Sequence, residues 1–534
     1  MRRLIVMSGQ VSSGKSTLAE GLSKRFGFEV LRTKDWLKRR LRAKGTPSRK
    51  DLQTMGDRLD IRTGGKWVVQ ELTKNLPALA SETVILDSTR TKEQVEELRA
   101  AFGPIVTHIH LTAPRDELEL RFKKRMRTDK RELATYRVVR ENKTELQVGS
   151  LREVADIVID TNRCTPDDVL IRAASHLGLY STSSKGYVDV LIGGQYGSEG
   201  KGQIASYIAK EYDLLVRVGG PNAGHTVFEL PKPYPHHLLP SGTRKSQARL
   251  LLGPGTVIDL AKLLKEISDC RVDASRLGID RKATMILRED LEMESSLVTS
   301  IGSTGQGVGA ATSRRIMDRG RVPGPRLARD VPELRPFLCD AVDTLYEAFS
   351  TNERILLEGT QGTGLSLYHG EYPHVTSRDT TVSGCLAEAG IPPSRVRKVI
   401  MVCRTYPIRV ESPKGRTSGP MSQELTLKEI SKRSGKSLQE LQNTEITTTT
   451  HKKRRIGEFD WALLRKSALL NGPTDIALTF ADYLSAENER ARRFEQLTPE
   501  TISFIHEVER ITGARVSLIA TGFNTRSVID RRLW

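Results

Sequence analysis

The sequence predicts an α/β protein of two domains, each built on a strand, a glycine-rich loop and a helix. Two apolar runs support this prediction: residues 4–7 (LIVM) enter a glycine-rich segment at 9–17, and residues 188–192 (VDVLI) enter another at 194–202. Between them, residues 178–186 (GLYSTSSKG) are rich in Ser, Thr and Gly and have no apolar period. A buried strand followed by a glycine loop and a helix begins a parallel α/β unit, so its repetition indicates two such units.

The domain boundaries follow from the elements on either side of the Ser/Thr/Gly-rich stretch. Residues 155–160 (ADIVID) predict a buried strand and residues 166–177 a closing helix, after which a fresh strand begins at 188. We therefore place a first domain at 1–177, a linker at 178–186 and a second domain at 187–534. The total of 534 residues is more than one ordinary core would need.

The composition predicts a globular protein of the cytoplasm. Hydrophobic residues make up 37% and charged residues 28% of the chain, which excludes a disordered chain, a collagen and a disulfide-stapled mini-protein. No apolar run approaches the 18 residues needed to span a bilayer, and the basic start of the chain does not predict a signal peptide. Five scattered cysteines predict reduced thiols and no cysteine metal site.

The strong positive charge predicts a partner that carries phosphate. The chain has 84 basic and 65 acidic residues, a net charge of +19. Nucleotides and nucleic acids both fit this balance, and so does a generally basic, solvated surface. Aromatic residues at 5% give little material for stacking bases, so nucleic acid is the less favoured partner.

The first glycine loop matches the Walker A pattern in its proper context. Its residues are Gly9-Gln-Val-Ser-Ser-Gly14-Lys15-Ser16-Thr17, between a strand and a segment with helical period. Backbone N–H groups of such a loop wrap a phosphate, and the helix N-terminus adds its dipole. We expect Lys15 to reach the β- and γ-phosphates and Ser16 to hold Mg²⁺. A chance match to the pattern is the alternative.

Further features of the first domain are those of a small kinase. Residues 84–87 (VILD) predict a strand that ends in Asp87, which we expect in the Mg²⁺ shell; a surface-turn aspartate is the alternative. After a strand at 107–111, residues 121–127 form a basic helix, and small kinases place such arginines over the transferring phosphoryl group; a solvated helix face fits almost as well. The domain resembles the nucleoside-monophosphate-kinase-like branch of P-loop proteins. In that branch the acceptor site often begins near the position of residues 33–35 (TKD).

The second glycine loop, GQYGSEGKG at 194–202, resembles the Walker A pattern but does not match it, because the spacing of the first glycine differs and Gly202 replaces the hydroxyl residue. Taken alone it predicts a phosphate-binding loop with a lysine, Lys201. Several further motifs follow it in order: GGPNAGHT at 219–226, HLLPSG at 237–242, GSTGQGVG at 302–309, EGTQG at 358–362, YPHVTS at 372–377 and TTHKKRRIG at 449–457. In this order and spacing the set resembles the adenylosuccinate synthetase family, in its short form, over nearly all of 187–534.

This resemblance implies a ligase that joins L-aspartate to the 6-position of a purine nucleotide. In the family, a nucleoside triphosphate phosphorylates the purine 6-oxygen, and the aspartate amine then displaces phosphate. It implies a P-loop-related α/β fold, Mg²⁺, and a purine nucleoside monophosphate, L-aspartate and ATP or GTP as partners; we also expect a homodimer. The implied catalytic residues are Lys201, His225, Gln361 and Ser198 at the general-base position, with the Gly224 carbonyl as a Mg²⁺ ligand.

The resemblance also implies binding residues, each of which has a structural alternative such as a loop histidine or a solvated basic turn. Those matched to substrate binding are Asn222, Thr304 and Thr376 for the 5′-phosphate, and Lys452 and Arg454 for the aspartate carboxylates. Those matched to the donor nucleotide are Gly197, Gly200 and Gly202 in the loop and Asp482 at its base.

The sequence departs from the family at a few positions. Ser198 stands where the family carries an aspartate that acts as general base on purine N1 and binds Mg²⁺. A serine leaves room beside N1 and C2 and can accept a hydrogen bond from a 2-amino group, so this position resembles the branch that makes 2-aminoadenylosuccinate from dGMP. Asp318 stands where the family pattern has an arginine. Arg314, Arg315 and Arg319 are the nearby candidates to take the role of that arginine. Lys452 replaces an arginine and loses its bidentate fork. Phe480 replaces the lysine of the guanine-specific pattern.

The sequence therefore predicts a purine nucleotide–aspartate ligase that favours dGMP, fused to an ATP-binding, kinase-like domain. Two alternatives remain: an adenylosuccinate synthetase that uses IMP, and a nucleotide-sensing protein with a degenerate ligase domain. A nucleic-acid-binding ATPase is a weaker third, based on charge.

Overall fold

The structure, a computed structural model, describes residues 1–41, 47–76, 81–128, 136, 143–179, 186–228, 232–322, 324–446, 453–523 and 527–534. The chain divides into two units, Met1–Thr182 and Ser183–Trp534. The division falls within the predicted linker 178–186, of which residues 180–185 lie outside the described residues. In the part of the chain that is described, no helix is long and apolar enough to cross a membrane.

The N-terminal unit is a parallel sheet in the order β2-β3-β1-β4-β5 with helices on both faces. Its strands are β1 Arg3–Gly9, β2 Glu29–Arg32, β3 Thr83–Asp87, β4 Val106–Thr112 and β5 Ile157–Asp160. Its helices are α1 Lys15–Phe26, α2 Thr33–Leu41, α3 Arg49–Thr63, α4 Lys66–Asn75, α5 Lys92–Phe102, α6 Arg115–Thr128, α7 Lys143–Ser150 and α8 Pro166–His176.

Strand β1 is buried on both faces because alternate side chains enter different cores. Ile5 and Met7 pack with residues of α1 and α8, whereas Leu4 and Val6 pack against the other layer, which contains Trp67. The sequence predicted β1, β3, β4 and β5 from their apolar runs. It missed β2, a half-buried edge strand whose residues EVLR mix charged and apolar side chains.

The C-terminal unit contains a ten-stranded sheet in the order β14-β12-β10-β7-β15-β6-β16-β20-β21-β22, parallel except for the last pair. The unit's strands are β6 Val188–Gly193, β7 Leu214–Arg217, β8 His225–Val227, β9 Tyr234–His236, β10 Arg249–Leu252, β11 Val257–Ile258, β12 Leu277–Asp280, β13 Thr284–Met285, β14 Leu338–Cys339, β15 Ile355–Glu358, β16 Val396–Arg404, β17 Ile408–Val410, β18 Glu424–Leu425, β19 Arg454–Gly457, β20 Asp475–Thr479, β21 Arg515–Ala520 and β22 Val528–Asp530.

Helices cover this sheet, and the unit also contains two two-stranded sheets, β11-β13 and β8-β9, and one three-stranded sheet, β17-β19-β18. The helices are α9 Lys201–Ile208, α10 Leu260–Cys270, α11 Arg288–Ile301, α12 Val308–Met317, α13 Ala341–Ser350, α14 Val382–Ala389, α15 Leu427–Ser434, α16 Leu438–Thr444, α17 Trp461–Asn471 and α18 Pro499–Thr512. The predicted α/β fold class is therefore confirmed in both units.

The order of the central strands brings the predicted motifs to one edge of the sheet. Strands β7, β15 and β6 are neighbours, and each is followed by a glycine-rich segment: 219–226 after β7, 359–362 after β15 and 194–202 after β6. In open parallel sheets, ligands bind outside the carboxyl ends of the strands. The fold therefore gathers segments that are far apart in sequence into one candidate site.

Candidate functional site

The N-terminal loop, residues 9–17, has the geometry of a phosphate loop. Helix α1 begins at Lys15, and its N-cap Gly14 has a φ of 98°, a backbone conformation that favours glycine. The Lys15 Nζ atom donates to the carbonyls of Gly9 (2.6 Å) and Gln10 (3.0 Å). The buried hydroxyl of Ser13 has no hydrogen-bond partner among the described residues, as expected of a group that serves a ligand.

The two residues of this unit that were predicted to hold Mg²⁺, Ser16 and Asp87, lie within hydrogen-bond distance of each other. The Ser16 hydroxyl donates to the Asp87 Oδ2 atom at 3.1 Å, which joins the start of α1 to the end of β3. A hydroxyl and a carboxylate are the hard oxygen ligands that Mg²⁺ prefers. Both side chains, together with Gly14, Lys15 and Thr17, line a cavity of about 720 Å³.

The second loop, residues 194–202, is organised around the fully buried Glu199. One carboxylate oxygen accepts from the backbone N–H groups of Gln195 (3.1 Å) and Gly197 (2.8 Å), and the other contacts the Lys201 Nζ atom at 2.5 Å. Gly200 is the N-cap of α9, with a φ of 84°. Lys201 is therefore held at the first turn of a helix, where the helix dipole also favours an anion.

His225 lies against this helix through a close approach at Gly202. A Cβ atom on Gly202 would lie 2.8 Å from the His225 Cβ atom, so only glycine fits. The His225 Nδ1 atom lies 2.5 Å from the Glu358 Oε1 atom. Gly224, whose carbonyl is the predicted Mg²⁺ ligand, directly precedes His225 in the chain.

A buried charge network fixes the protonation of His225. Glu358 also accepts from the backbone N–H of Ser241 (2.7 Å) and from the Arg217 Nη1 atom (3.1 Å). Burial would raise the pKa of Glu358, but Arg217 and the hydrogen bond from His225 outweigh it and hold that pKa at about 2. Burial, helped by Arg217, lowers the pKa of His225 to about 4, so the ring is neutral near pH 7. With Nδ1–H donating to Glu358, the Nε2 atom presents a lone pair.

A second cavity, of about 170 Å³, brings together three of the predicted substrate-binding residues, Asn222, Thr304 and Thr376, with Gln361, which was predicted to be catalytic. The amide nitrogens of Gln361 and Asn222 lie 2.8 and 3.4 Å from the Thr376 hydroxyl. Their amide oxygens are buried and have no donor among the described residues. A ligand with N–H groups would satisfy them, which is a reason to place a nucleobase or an amine here.

The predicted aspartate loop is described in part, since Lys452 lies outside the described residues. Arg454 is largely buried and contacts the Glu445 Oε2 atom at 3.2 Å. Glu445 also pairs with the fully buried Arg404 at 2.7 Å, and the Arg404 guanidinium stacks 3.9 Å from the centre of the Phe480 ring. One carboxylate thus serves two guanidinium groups, and nitrogens of both lack partners in the described chain. An anionic ligand would complete this site.

Asp482, the predicted reader of the donor base, is buried and paired. Its Oδ2 atom contacts the Lys436 Nζ atom at 2.8 Å, and Glu489 also pairs with this lysine. Burial raises the pKa of Asp482 to about 6, although Lys436 lowers it. The hydrogen bond to Asp482 raises the pKa of Lys436 against the effect of burial, so the pair is ionised at pH 7.

Ser198 differs from its neighbours because its side chain is exposed. Its φ is 56°, in the left-handed region, and it does not line the 170 Å³ cavity. Gly197, just before it, lies against Gln361: a Cβ atom on Gly197 would be 3.6 Å from the Gln361 Cα atom. The Ser198 hydroxyl therefore stands at the solvent-open side of the loop that meets Gln361.

Of the three arginines considered as replacements for the arginine expected at Asp318, Arg314 and Arg315 are held by side-chain partners. Arg314 forms a bidentate pair with Asp290, at 2.7 and 3.0 Å, and Arg315 donates to the Thr284 hydroxyl at 2.7 Å. Arg319 is exposed, and its Nε atom donates to a backbone carbonyl at 2.8 Å. Arg319 is thus the one of the three whose guanidinium faces solvent.

Comparison with known proteins decides the family. A model described as adenylosuccinate synthetase matches residues 190–323 and 325–490, more than half of the chain. Adenylosuccinate synthetase of Methanocaldococcus jannaschii is 38% identical over 352 residues, which cover 64% of this chain and 96% of that protein. The chain belongs to the adenylosuccinate synthetase family. It is therefore a carbon–nitrogen ligase of that family, and such ligases are generally Mg²⁺-dependent.

Solved structures and a second family model extend this result. The adenylosuccinate synthetase of Plasmodium falciparum has the same fold, with a TM-score of 0.57, 23% identity and coverage of 65% of this chain and 100% of that one. The cyanophage S-2L succinoaminodeoxyadenylate synthetase, bound to dGMP and to dATP as an energy donor, has a TM-score of 0.54 and 29% identity and covers 65% of this chain and 95% of that one. A model described as an AAA domain matches residues 4–148, so this adenylosuccinate synthetase relative carries an added P-loop, kinase-like domain.

Sequence reasoning missed several residues of the ligase site. Arg217 and Glu358 hold His225, Arg404 stacks on Phe480, and Lys436 pairs with Asp482. Arg217 had a local signal, because an arginine inside the apolar strand LLVRV must have a buried partner. Lys436 had none, since it is separated from Asp482 by 46 residues and lies in a segment of ordinary surface composition.

Proposed function

We propose that the C-terminal unit joins L-aspartate to the 6-position of dGMP, using ATP or dATP as phosphoryl donor. The observation that carries this proposal is Ser198, which stands in the phosphate loop where the family's base would be. An uncharged, short side chain leaves room beside C2 of the purine and offers an oxygen to a 2-amino group. The structural relative that holds dGMP and dATP supports the same choice.

The unpaired amide oxygen of Gln361 fits such a substrate, and Asn222 keeps its implied place at the 5′-phosphate beside Thr376. Guanine presents N–H groups at N1 and C2, whereas hypoxanthine presents one at N1 alone. A buried acceptor without a donor costs about 1–3 kcal/mol, so the substrate with more N–H groups gains more from this cavity. We therefore place the purine at the edge of the 170 Å³ cavity, between Gln361 and the loop that carries Ser198, with its 5′-phosphate inside the cavity toward Thr304 and Thr376.

In the first step, Lys201 stabilises the charge of the transferring γ-phosphoryl group at the start of α9. The 6-oxygen attacks the γ-phosphorus, the bond to the bridging oxygen breaks, and a nucleoside diphosphate leaves. As the 6-oxygen gains the phosphoryl group, purine N1 gives up its proton, and the lone pair of the His225 Nε2 atom takes this proton because Ser198 cannot act as a base. The protonated His225 ring then donates to the 6-oxygen. Mg²⁺, which the Gly224 carbonyl and phosphate oxygens would hold, supplies further positive charge. Among the described residues, no group of three or more His, Cys, Asp or Glu could hold a metal ion.

In the second step, the aspartate amine attacks C6, and phosphate leaves with the electron pair of the C6–O bond. Arg454 and Arg404 have unpaired guanidinium nitrogens beside Glu445, and Arg409 adds another buried guanidinium that lines the 170 Å³ cavity. We assign aspartate carboxylate binding to Arg454, together with Lys452, as the family resemblance implies.

The donor preference rests on Asp482 and Phe480. A guanine base would need a carboxylate free to accept from its N1 and C2 N–H groups, but Lys436 already holds Asp482 at 2.8 Å. Phe480 provides an aromatic surface with Phe523, their ring centres being 5.5 Å apart. Aromatic contacts serve adenine and guanine alike, so the engaged carboxylate of Asp482 decides: an adenine donor does not need it and a guanine donor does, which favours ATP or dATP over GTP.

A test of this donor assignment is Lys436→Met, which frees Asp482 from its cation. We expect the ratio of ATP to GTP use to fall, measured as kcat/KM for each donor. Because breaking a buried pair typically costs about 3–5 kcal/mol, unfolding is measured in parallel. Lys432→Met, at an exposed lysine of α15, is the matched control and should leave the ratio unchanged. An unchanged ratio in folded Lys436→Met would remove Asp482 from donor recognition.

We also propose that the ligase unit pairs with a second copy of the chain. Helices α11 and α12 and the segment after them expose large apolar side chains, namely Leu291, Met293, Leu297, Ile316, Met317 and Val322. Exposed apolar side chains on two helices that pack against each other indicate an interaction surface. Light scattering of the wild-type chain and of Met317→Glu would show a dimer that weakens; a monomeric wild type would contradict the assignment.

The experiment that tests the main proposal is a substrate matrix. Purified chain with L-aspartate and Mg²⁺ is combined with IMP, GMP or dGMP and with ATP, dATP or GTP. Phosphate release that requires both aspartate and dGMP, with an aspartate adduct of the nucleotide detected by mass spectrometry, is the expected result. Turnover of IMP with no use of GMP or dGMP would make this an IMP enzyme. Absence of aspartate-dependent turnover with all nine pairs would favour a sensing role.

A further inference from the structure

The 170 Å³ cavity of the ligase unit is lined by one lysine or arginine among the described residues, Arg409. The other acidic or basic side chains of its wall are Glu294 and His374. Burial and the charges of Arg409 and Arg455 lower the pKa of His374 from its ordinary value, so this ring is neutral near pH 7. The arginines close to Asp318 do not line the cavity. An anion in this cavity therefore meets a single positive side chain.

The helix N-terminus beside the cavity is already occupied by a carboxylate of the protein. Glu294 accepts hydrogen bonds from the backbone N–H groups of Gly307 (2.8 Å), Gly309 (2.5 Å) and Ala310 (3.2 Å) at the start of α12. The start of a helix is a common site for a phosphate, because its N–H groups and its dipole favour negative charge. Here Glu294 uses these donors, so the charge of a bound phosphate must be balanced elsewhere.

Arg409 is held at one nitrogen and unpaired at the other two. Its Nη1 atom donates to the backbone carbonyls of Ser418 (3.0 Å) and His374 (3.3 Å), and its guanidinium carbon lies 4.0 Å from the centre of the Tyr196 ring. The Nε and Nη2 atoms are buried and have no hydrogen-bond partner in the described chain. These two nitrogens form the edge of a guanidinium that binds two oxygens of a carboxylate or phosphate side by side.

The charge of Arg409 has no ion-pair partner among the described residues. Arg409 is 4% exposed, and whereas Arg404 and Arg454 share the carboxylate of Glu445, no carboxylate pairs with Arg409. Burial lowers the pKa of Arg409, although Tyr196 raises it. Burying a charge without a partner costs free energy. A bound anion removes this cost because it supplies the missing counter-charge.

The hydroxyl of Thr376 indicates an anion in the same cavity. Its oxygen accepts from the amide nitrogens of Gln361 (2.8 Å) and Asn222 (3.4 Å). A hydroxyl has two acceptor positions and one donor, so these two contacts leave the O–H of Thr376 to donate. A donated O–H beside an unpaired guanidinium edge fits the oxygens of a phosphate.

We propose that Arg409 binds the 5′-phosphate of the purine nucleotide through its Nε and Nη2 atoms, and that Thr376 donates a further hydrogen bond to this phosphate. The inference rests on the proposed function, which places the nucleotide in this cavity. It makes recognition of the 5′-phosphate a property of one buried guanidinium of the same chain. The purine base plays no part in it, so the proposal holds equally for dGMP and IMP.

The test compares nucleotides with their nucleosides. The full-length chain, with Mg²⁺, L-aspartate and the triphosphate that it uses, is given dGMP or deoxyguanosine, and IMP or inosine. We measure kcat/KM for aspartate-dependent phosphate release, and calorimetric titration of the same compounds gives their Kd without turnover. In Arg409→Ala, the preference for nucleotide over nucleoside should shrink by at least about 10- to 150-fold, the range for one hydrogen bond to a charged group. A variant that keeps the wild-type preference would overturn the proposal.

Two further variants separate phosphate binding from a structural role. Arg409→Lys keeps the charge but not the paired donors, so its loss should be smaller than that of Arg409→Ala and again confined to the nucleotides. Arg416→Ala, at an exposed arginine that does not line the cavity, is the matched control and should behave as the wild type. Thermal unfolding is measured in parallel, and if Arg409→Ala does not fold, Arg409→Lys carries the test. Wild-type affinity for dGMP and IMP in Arg409→Lys would overturn the bidentate contact. A preference for IMP over dGMP would instead refute the proposed acceptor and leave the role of Arg409 in place.

Discussion

Replacing Ser198 by aspartate should move the ligase from dGMP toward IMP. The change fits the backbone, because Ser198 has a φ of 56° and aspartate tolerates the left-handed region better than most residues. The loop should also keep its shape, since Glu199 fixes it through the N–H groups of Gln195 and Gly197, and Ser198 takes no part. The substitution should therefore change the contact with the substrate and leave the conformation of the loop unchanged.

The expected size follows from two effects. In the wild type, IMP has no 2-amino group to pair with an acceptor such as the buried amide oxygen of Gln361, and a buried acceptor left unpaired costs about 1–3 kcal/mol, so dGMP should be favoured about 5- to 150-fold in kcat/KM. In Ser198→Asp, the longer carboxylate crowds the 2-amino group and supplies a base at N1, and a positioned base is typically worth about 10²- to 10⁴-fold. The ratio of dGMP to IMP use should fall by at least about tenfold.

A competition assay measures this ratio directly. Both monophosphates are supplied together with aspartate, Mg²⁺ and the preferred triphosphate, and the two aspartate adducts are quantified by mass spectrometry at early times. Ser198→Asn is the matched control, since asparagine has the size of aspartate and tolerates the same φ but cannot act as a base. If Ser198→Asp and Ser198→Asn shift the ratio equally, size and not basicity governs the choice. A wild type that prefers IMP would refute the reasoning altogether.

Three further outcomes are expected. Lys201→Ala should lower aspartate-dependent phosphate release by about 100- to 1000-fold, and wild-type turnover in that variant would remove Lys201 from the phosphoryl-transfer step. Lys15→Ala should abolish nucleotide binding at the N-terminal loop and leave ligase kcat/KM nearly unchanged, because the two lysines belong to separate units; ligase loss in a folded variant would show coupling. Stability should fall as the pH drops from about 6.5 to 4, because burial lowers the pKa of His108 and of His110 to about 4 and the unfolded chain therefore binds more protons. Denaturant unfolding across this range should show the slope, and His108→Gln should reduce it.

Local patterns made the loops and their strands predictable. A run such as LIVM followed by GQVSSGKST determines strand, turn and helix within fifteen residues, and the structure has β1, the loop and α1 in that order. The same holds for β6, its loop and α9. These patterns are local in sequence, so they predict the elements without any knowledge of the rest of the fold.

The contacts that tune the site are long-range and had no such signal. Glu358 meets His225 across 133 residues, and Gln195 meets Arg404 across 209. Their meeting depends on the order of strands in the ten-stranded sheet, which hydrophobic period does not reveal. The sequence around Arg217 indicates that this buried arginine needs an acidic partner, but it does not show that the partner is Glu358.

The close packing around the second loop has a consequence for how this enzyme can evolve. Added side chains at Gly193 or Gly362 would collide with the backbone at about 2.4 or 2.5 Å, and Gly202 is closed by His225, so these positions tolerate almost no change. Ser198 lies among them with an exposed side chain and no role in holding the loop. With the role proposed for Ser198, substitutions that this loop tolerates fall on the one exposed residue between 194 and 202, so a single substitution would exchange one nucleobase for another while the groups that transfer phosphoryl stay in place.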